Sequence, residues 1–383
     1  MKKIKIWFVG GEDVRMRIPL LLELRKLGYE IGVIGTESPD PFEVENIPYI
    51  QYSLNRWVGP FSDLKSYSQL SKIFSKIDVD IIHGFDTKPA ILVPLASRSY
   101  SHIKSIRTIT GMGFIFSSDS FLALLLKPVY SILQKLASRN ASKTVFQNND
   151  DLVYFQNKKL VEEGKIELVR SSGIDLSSLP KLDENNVAIR DLKNNLSIKN
   201  ELVIIMVARL VKDKGVLQFL EAAKRVKNKS KNVRFFLVGP SSGEGKEAIS
   251  INQIQEYSDY VTYLGKRKDI NLLLKLSDVF VLPSYYREGV PRVLLEAGGA
   301  SLPLITTNMP GCKEVVIDKW NGWLVKPRSV EDLEDKILNS LKLTDEERKL
   351  MGERSLSHVT SEFSLSKVVK QYSSIYQNMM INK

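Results

Sequence analysis

The sequence predicts an α/β protein of two Rossmann-like domains that face each other across a cleft. Three observations lead to this reading. The chain has 383 residues, more than one hydrophobic core usually organises. Apolar runs of strand length alternate with helical periodicity from residue 4 onward, and the same alternation starts again at residue 201. Between the two, after Gly173 and Asp175, the composition turns polar (LSSLPKLDENN, 176–186), as an interdomain linker does. The expected organisation is an N-terminal Rossmann-like domain over 1–178, a linker over 179–200, a C-terminal Rossmann-like domain over 201–364 and a closing helix over 365–383 that packs back across the junction.

In the first half, residues 4–9 form the opening strand, ended by Gly10 and Gly11. Apolar residues at helical spacing over 18–27 follow, and Gly28 stops that helix. A second strand is expected at 30–35 and a third at 80–84, after which Phe85, Asp86, Thr87, Lys88 and Pro89 lie on a loop. Further strands are expected at 106–110, before the Gly111-Met112-Gly113 turn, at 145–146 and at 166–169. In the second half the strands are 201–207, 233–238, 261–264, 279–282, 303–306 and 323–325, with a helix over 216–226. Residues 365–380 have helical periodicity with no strand after them.

Composition narrows the function. Apolar residues make up 43% and charged residues 26%, ordinary for a globular protein. Cys312 is the single cysteine, so an intramolecular disulfide and a cysteine-rich zinc site are excluded, and a reducing cytoplasmic setting fits. The apolar run at the N-terminus is too short for a signal peptide, and no segment reaches the ~20 apolar residues of a membrane span. The net charge is +11. From Arg98 to Lys143 there are seven basic residues and one acid, Asp119. Within this region FLALLLKPVYSILQKLA, at 121–137, carries an apolar stripe edged by Lys127 and Lys135, which suits either an anionic membrane surface or a core helix with a solvated face. A nucleic-acid binder is disfavoured, because basic residues elsewhere alternate with acids and no aromatic-rich basic motif is present. A nicotinamide-cofactor enzyme is disfavoured too, because Gly10-Gly11 lacks the remaining glycines of the dinucleotide fingerprint.

The stretch PSYYREGVPRVLLEAGGA, at 283–300, holds Glu288 on a loop and Glu296 on the helix that follows, eight positions apart. Taken alone, two such acids are an ordinary solvated pair. Arg209 and Lys214 alter that reading. They lie on the loop after the first strand of the second half, and loops at carboxyl ends of strands in one sheet converge on one crevice. Two cations beside helix N-termini make a diphosphate site that works without a metal ion. The Asp78-Val79-Asp80 triplet precedes its strand and is read as starting it, not as binding metal.

VARLVKDKG at 207–215 together with EGVPRVLLEA at 288–297 resembles family 4 of the retaining glycosyltransferases, which have the GT-B fold. HGFDTKP at 83–89 and TITGMG at 108–113 resemble the acceptor-domain signatures of the bacterial members that extend polyprenyl-diphosphate-linked glycans. The resemblance implies that Glu296 holds the ribose hydroxyls of a nucleotide, that Glu288 contacts the transferred sugar, and that Arg209 and Lys214 bind the leaving diphosphate. Gly11, Gly289, Arg292, Val293, Leu294, Gly239 and Lys266 are assigned to the donor. Arg17, His83, Thr87, Lys88, Thr110 and Gly111 are assigned to the acceptor, with His83 equally open to being a buried, satisfied histidine. Two positions depart from the family pattern. Pro291 stands where many members have glycine, which moves the expected phosphate contacts onto the N–H groups of Arg292 and Val293. Thr110 stands where many have a histidine.

The resulting expectation is a metal-independent retaining hexosyltransferase, without cofactor, that moves a hexose or N-acetylhexosamine from a UDP-sugar to a polyprenyl-diphosphate-linked saccharide. It would act at the inner face of the plasma membrane, with no nucleic acid as partner. The alternative within enzymes is a soluble or protein acceptor.

Overall fold

The apolar runs assigned to strands form two all-parallel sheets. The computed structural model describes residues 3–55, 59–113, 116, 121–178, 187–241 and 247–381. In the first sheet lie β1 (Lys5–Val9), β2 (Glu30–Gly35), β3 (Tyr49–Gln51), β4 (Ile81–Gly84), β5 (Lys104–Ile109), β6 (Lys143–Phe146) and β7 (Ile166–Leu168), in the order β3-β2-β1-β4-β5-β6-β7. The second holds β8 (Leu202–Val207), β9 (Val233–Val238), β10 (Val261–Tyr263), β11 (Val279–Leu282), β12 (Leu304–Thr307) and β13 (Gly322–Val325), in the order β10-β9-β8-β11-β12-β13. In both sheets the order reverses beside the first strand, between β1 and β4 and between β8 and β11. That reversal opens a crevice at the carboxyl ends, where doubly wound sheets bind ligands. Strands covered on both faces read as continuous apolar runs, and Val203–Met206 of β8 are accordingly all buried.

By their contacts the residues divide into two units. Unit 1 comprises Met1–Gly173, Arg287–Val290 and Leu365–Lys383, and unit 2 comprises Ile174–Tyr286 and Pro291–Ser364. The closing helix Leu365–Ile381 belongs to unit 1. Its Val368, Tyr372, Tyr376 and Met379 lie at the three- and four-residue spacing of one helix face and share a core cluster with Ile6 and Phe8 of β1 and Leu20 and Leu24 of helix Ile18–Lys26.

One segment differs from the expectation. Residues 179–200 read as linker, yet Val187–Asn195 is a helix whose Ile189 and Leu192 are buried in unit 2. Two apolar residues three apart among polar neighbours are too little periodicity to mark a helix in sequence, and burial of that narrow stripe supplies the rest. Residues 179–186 lie outside the described ones, as do 242–246 of the expected turn after β9.

Candidate functional site

In unit 2 the loops after β8 and β11 are joined. After β8 the chain passes Arg209, which is exposed, and makes a 3-10 turn at Lys212–Lys214. Gly215 ends the turn in the left-handed region, with φ 77°, and a Cβ there would collide with the Pro283 carbonyl at the end of β11. The Asp213 carbonyl accepts from the Tyr285 N–H at 2.9 Å and the Ser284 hydroxyl at 3.3 Å. The basic loop and the head of the 283–300 stretch are thus hydrogen-bonded to each other. Ser284 is fully buried, and its carbonyl accepts from the Thr307 hydroxyl of β12.

Helix Arg292–Gly299 follows Pro291, which has extended backbone (φ −62°, ψ 117°). Leu294 is core, and its N–H donates to the Pro291 carbonyl at 3.1 Å, so it has no donor for a phosphate and its assignment to the donor is corrected. The N–H groups of Arg292 and Val293 precede it and have no main-chain partner among the described residues. Glu296, one turn on, is half-buried and accepts from Arg292 Nε at 3.0 Å, so the guanidinium orients its carboxylate. Gly239 is also corrected. Its N–H donates to Gly265 and its carbonyl accepts from the Tyr263 hydroxyl, and a Cβ would strike the Ala208 carbonyl, so this glycine serves packing against the Arg209 loop. Lys266 is exposed just past β10.

Unit 1 has a crevice of its own at the carboxyl ends of its strands, formed by Gly10–Gly11 after β1 and Phe85–Lys88 after β4. Asp86 takes a left-handed conformation, φ 70°, which turns its carboxylate toward the Gly11 N–H at 3.2 Å. Arg17 is 9% exposed, lies 4.3 Å above the Phe85 ring, donates to the Ser172 hydroxyl at 2.5 Å and stands 3.9 Å from Asp86. Burial pushes the Asp86 carboxyl up, against the opposing pull of Arg17 and the Gly11 N–H. Thr87 is half-buried, and Lys88 pairs with Asp63 at 2.5 Å.

His83 is corrected. It is wholly buried, Nδ1 bonds the Tyr376 hydroxyl and Nε2 the Thr108 hydroxyl, each at 2.7 Å, and the ring stacks on Phe85 at 3.9 Å. Both nitrogens are spent inside the core and cannot reach an acceptor. Desolvation, reinforced by Arg17, holds its pKa well below the histidine range. The Asp78-Val79-Asp80 triplet lies at the amino end of β4, away from the crevice, where Asp78 pairs with Lys5 and Asp80 accepts the Lys5 N–H.

Unit 1 also brings the TITGMG turn onto the Arg287–Val290 segment. A Cβ on Gly111, φ 123°, would lie 2.8 Å from the Glu288 carbonyl carbon, and one on Gly289 would lie 2.7 Å from the Thr110 carbonyl oxygen. The two glycines let two main chains pass in contact, with Thr110 and Glu288 half-buried beside them. Sequence reasoning missed the residues that fasten this contact: Asn148, Asp151 and Arg287. Arg287 stands next to Glu288 and could have been singled out, but nothing near Asn148 or Asp151 in sequence points to residues 140 positions away. Asp86 lies within the quoted HGFDTKP run and was passed over.

Helix Phe121–Asn140 presents an apolar face to solvent: Phe121 (82% exposed), Leu125 (63%), Val129, Ile132 (60%) and Leu136 recur at three- and four-residue spacing, with Lys135 and Arg139 exposed beside them. Its inner face carries Ala123, Tyr130, Gln134 and Ala137. Gln134 accepts at 2.8 Å from Arg107 of β5, a fully buried guanidinium whose pKa burial lowers to about 9. Among the described residues no helix is long and apolar enough to cross a membrane.

A family model described as Glycosyl transferases group 1 matches residues 188–357, and one described as Glycosyl transferase 4-like matches residues 5–149. The chain is 30% identical over 340 residues to the UDP-Gal:alpha-D-GlcNAc-diphosphoundecaprenol alpha-1,3-galactosyltransferase of Escherichia coli, covering 86% of this chain and 84% of that one. It is 27% identical over 376 residues to the N,N'-diacetylbacillosaminyl-diphospho-undecaprenol alpha-1,3-N-acetylgalactosaminyltransferase of Campylobacter jejuni, covering 97% of each. A crystal structure of a glycosyltransferase from Rickettsia africae superposes over the whole of both chains with a TM-score of 0.82 at 22% identity.

Proposed function

The chain belongs to the group 1 glycosyltransferases, family 4 with the GT-B fold, and on that premise we propose that it moves a sugar from a UDP-sugar to a polyprenyl-diphosphate-linked saccharide in assembly of a bacterial surface glycan. The observation that carries this reading is the hydrogen-bonded junction of the Arg209–Lys214 loop with the Ser284–Tyr285 head of the stretch bearing Glu288 and Glu296. The names of both relatives describe a sugar carried on diphospho-undecaprenol, and one names a UDP-sugar donor.

The proposed roles follow the chemistry. Glu296, aimed by Arg292, binds the ribose hydroxyls. Arg209 and Lys214, with the N–H groups of Arg292 and Val293, take the charge that builds on the departing diphosphate. Those cations do the work a divalent metal does in other transferases, so the enzyme is metal-independent. Glu288 contacts the transferred hexose or N-acetylhexosamine. In the same-face reaction the acceptor oxygen bonds to the anomeric carbon as the C–O bond to the diphosphate breaks, and the acceptor proton passes to the leaving phosphate oxygen, which retains the configuration. Arg17, Asp86, Thr87 and Lys88 serve the acceptor.

The exposed apolar face of helix Phe121–Asn140 favours the lipid-linked acceptor over a soluble one, because an apolar stripe flanked by Lys135 and Arg139 suits an anionic bilayer surface. The protein would then work peripherally at the inner face of the plasma membrane. The test supplies radiolabelled UDP-sugars and polyprenyl-diphosphate saccharides to the purified protein in EDTA. Transfer in EDTA is expected, and transfer only after Mn²⁺ addition would overturn the metal-free assignment.

A further inference from the structure

The Arg287–Val290 segment is fastened by a buried ion pair. Arg287 Nε donates to Asp151 Oδ1 at 2.6 Å, and Asp151 is wholly buried. The other Asp151 oxygen accepts from Asn148 Nδ2 at 3.0 Å, and the same amide donates to the Glu288 carbonyl at 3.2 Å. Asn148 Oδ1 in turn accepts the Asp151 N–H at 2.8 Å and caps helix Asn149–Asn157. The Arg287 guanidinium lies 5.3 Å from the Tyr154 ring centre. One helix N-terminus therefore grips the main chain on both sides of the Glu288 Cα, by the neighbouring side chain and by the carbonyl. Gly111 and Gly289 bring the backbones into contact below it.

We propose that Arg287 is a positioning residue for the transfer reaction: its pair with Asp151 sets the backbone of Glu288 and so aims that carboxylate at the sugar. The inference rests on the glycosyltransferase reading of Glu288 given above. A residue that only stabilised the fold would, when lost, lower the unfolding midpoint and the amount of active enzyme. A residue that aims Glu288 lowers kcat of folded enzyme, since a displacement of about 1 Å at a reacting group costs on the order of 10²-fold in rate.

The test is a substitution cycle on the full chain with Arg287→Ala, Asp151→Asn and the double variant, each checked for UDP binding and unfolding midpoint. Two readouts are taken: steady-state transfer, and amide hydrogen exchange across 287–290. Each single substitution is expected to lower kcat by on the order of 10²-fold, with donor KM within about threefold, and to speed exchange in that segment. The double variant is expected to be no slower than the worse single one, as for residues acting as a unit. If Arg287→Ala does not fold, Arg287→Lys replaces it, keeping the charge but not the Nε donor, with a smaller loss in the same direction. Unchanged kcat, multiplying losses or unchanged exchange would overturn the proposal. If the unaltered protein transfers no sugar, the functional reading fails, and faster exchange in the variants would then still register the latch.

Discussion

Among single residues, the proposed roles divide between groups that bind the donor and groups that take the charge of the departing diphosphate. Lys214→Ala and Arg209→Ala are expected to lower kcat by on the order of 10²-fold, because their charge matters most as the diphosphate departs. Glu296→Ala is expected to raise donor KM while changing kcat less. Initial rates over a range of UDP-sugar concentrations separate the two patterns. His83 supports a different prediction. The folded ring stays neutral where the unfolded ring takes a proton, so protons favour the unfolded chain. Its contribution is complete above pH 6.5 and falls below it, by up to about 1.4 kcal/mol per pH unit. Urea midpoints at pH 7.5 and 5.5 should show this slope, and His83→Gln, less stable overall, should lose that part of it. Sequence alone left His83 undecided because burial depends on Tyr376 and Thr108, which are 293 and 25 positions away.

Elements were legible in proportion to how local their signal is. Central strands such as β8, β9 and β11 are visible as apolar runs because they are covered on both faces. The edge strand Tyr49–Gln51 is short and half-exposed and left no pattern. Helix Pro89–Ser97 received no assignment from sequence beyond Pro89 on the preceding loop, because it is apolar nearly all round, which erases periodicity. For helix Phe121–Asn140 the sequence showed an amphipathic pattern but not which face meets solvent. That depends on Gln134, Tyr130 and Ala137 packing inward, and the stripe left outside is the apolar one. Ile132→Asp, at an exposed position of this stripe, should leave the unfolding free energy within about 0.5 kcal/mol of the unaltered protein and reduce flotation with anionic liposomes several-fold. Flotation unchanged by the substitution would remove the helix from the membrane contact.

At the scale of the whole molecule, the family and the doubling of the Rossmann pattern could be read from motif and alternation. The contact partition could not. Short segments such as Arg287–Val290 join unit 1 through partners far away in sequence, and no periodicity encodes that. The closing helix was expected to pack back across the junction, but its periodicity does not encode the residues it meets, Ile6, Phe8, Leu20 and Leu24. Deleting the chain from Leu365 onward would remove Val368, Tyr372, Tyr376 and Met379 from the unit 1 core and strip His83 of one partner. Such a truncation is expected to expose unit 1 to proteolysis while unit 2 persists, which limited digestion followed by mass spectrometry would reveal.

That closing helix also sets the timing of folding during synthesis. Residues up to Gly173 of unit 1 are made before unit 2, yet part of the same interior is encoded from Leu365 onward. At about 5–20 residues per second, the 192 positions from Gly173 to Leu365 take roughly 10–40 s to translate. For that interval the nascent unit 1 leaves uncovered the apolar residues that the closing helix packs against, while unit 2, nearly all of it made in one continuous passage, can close on itself. Of the two units, the one begun before the other is therefore completed after it.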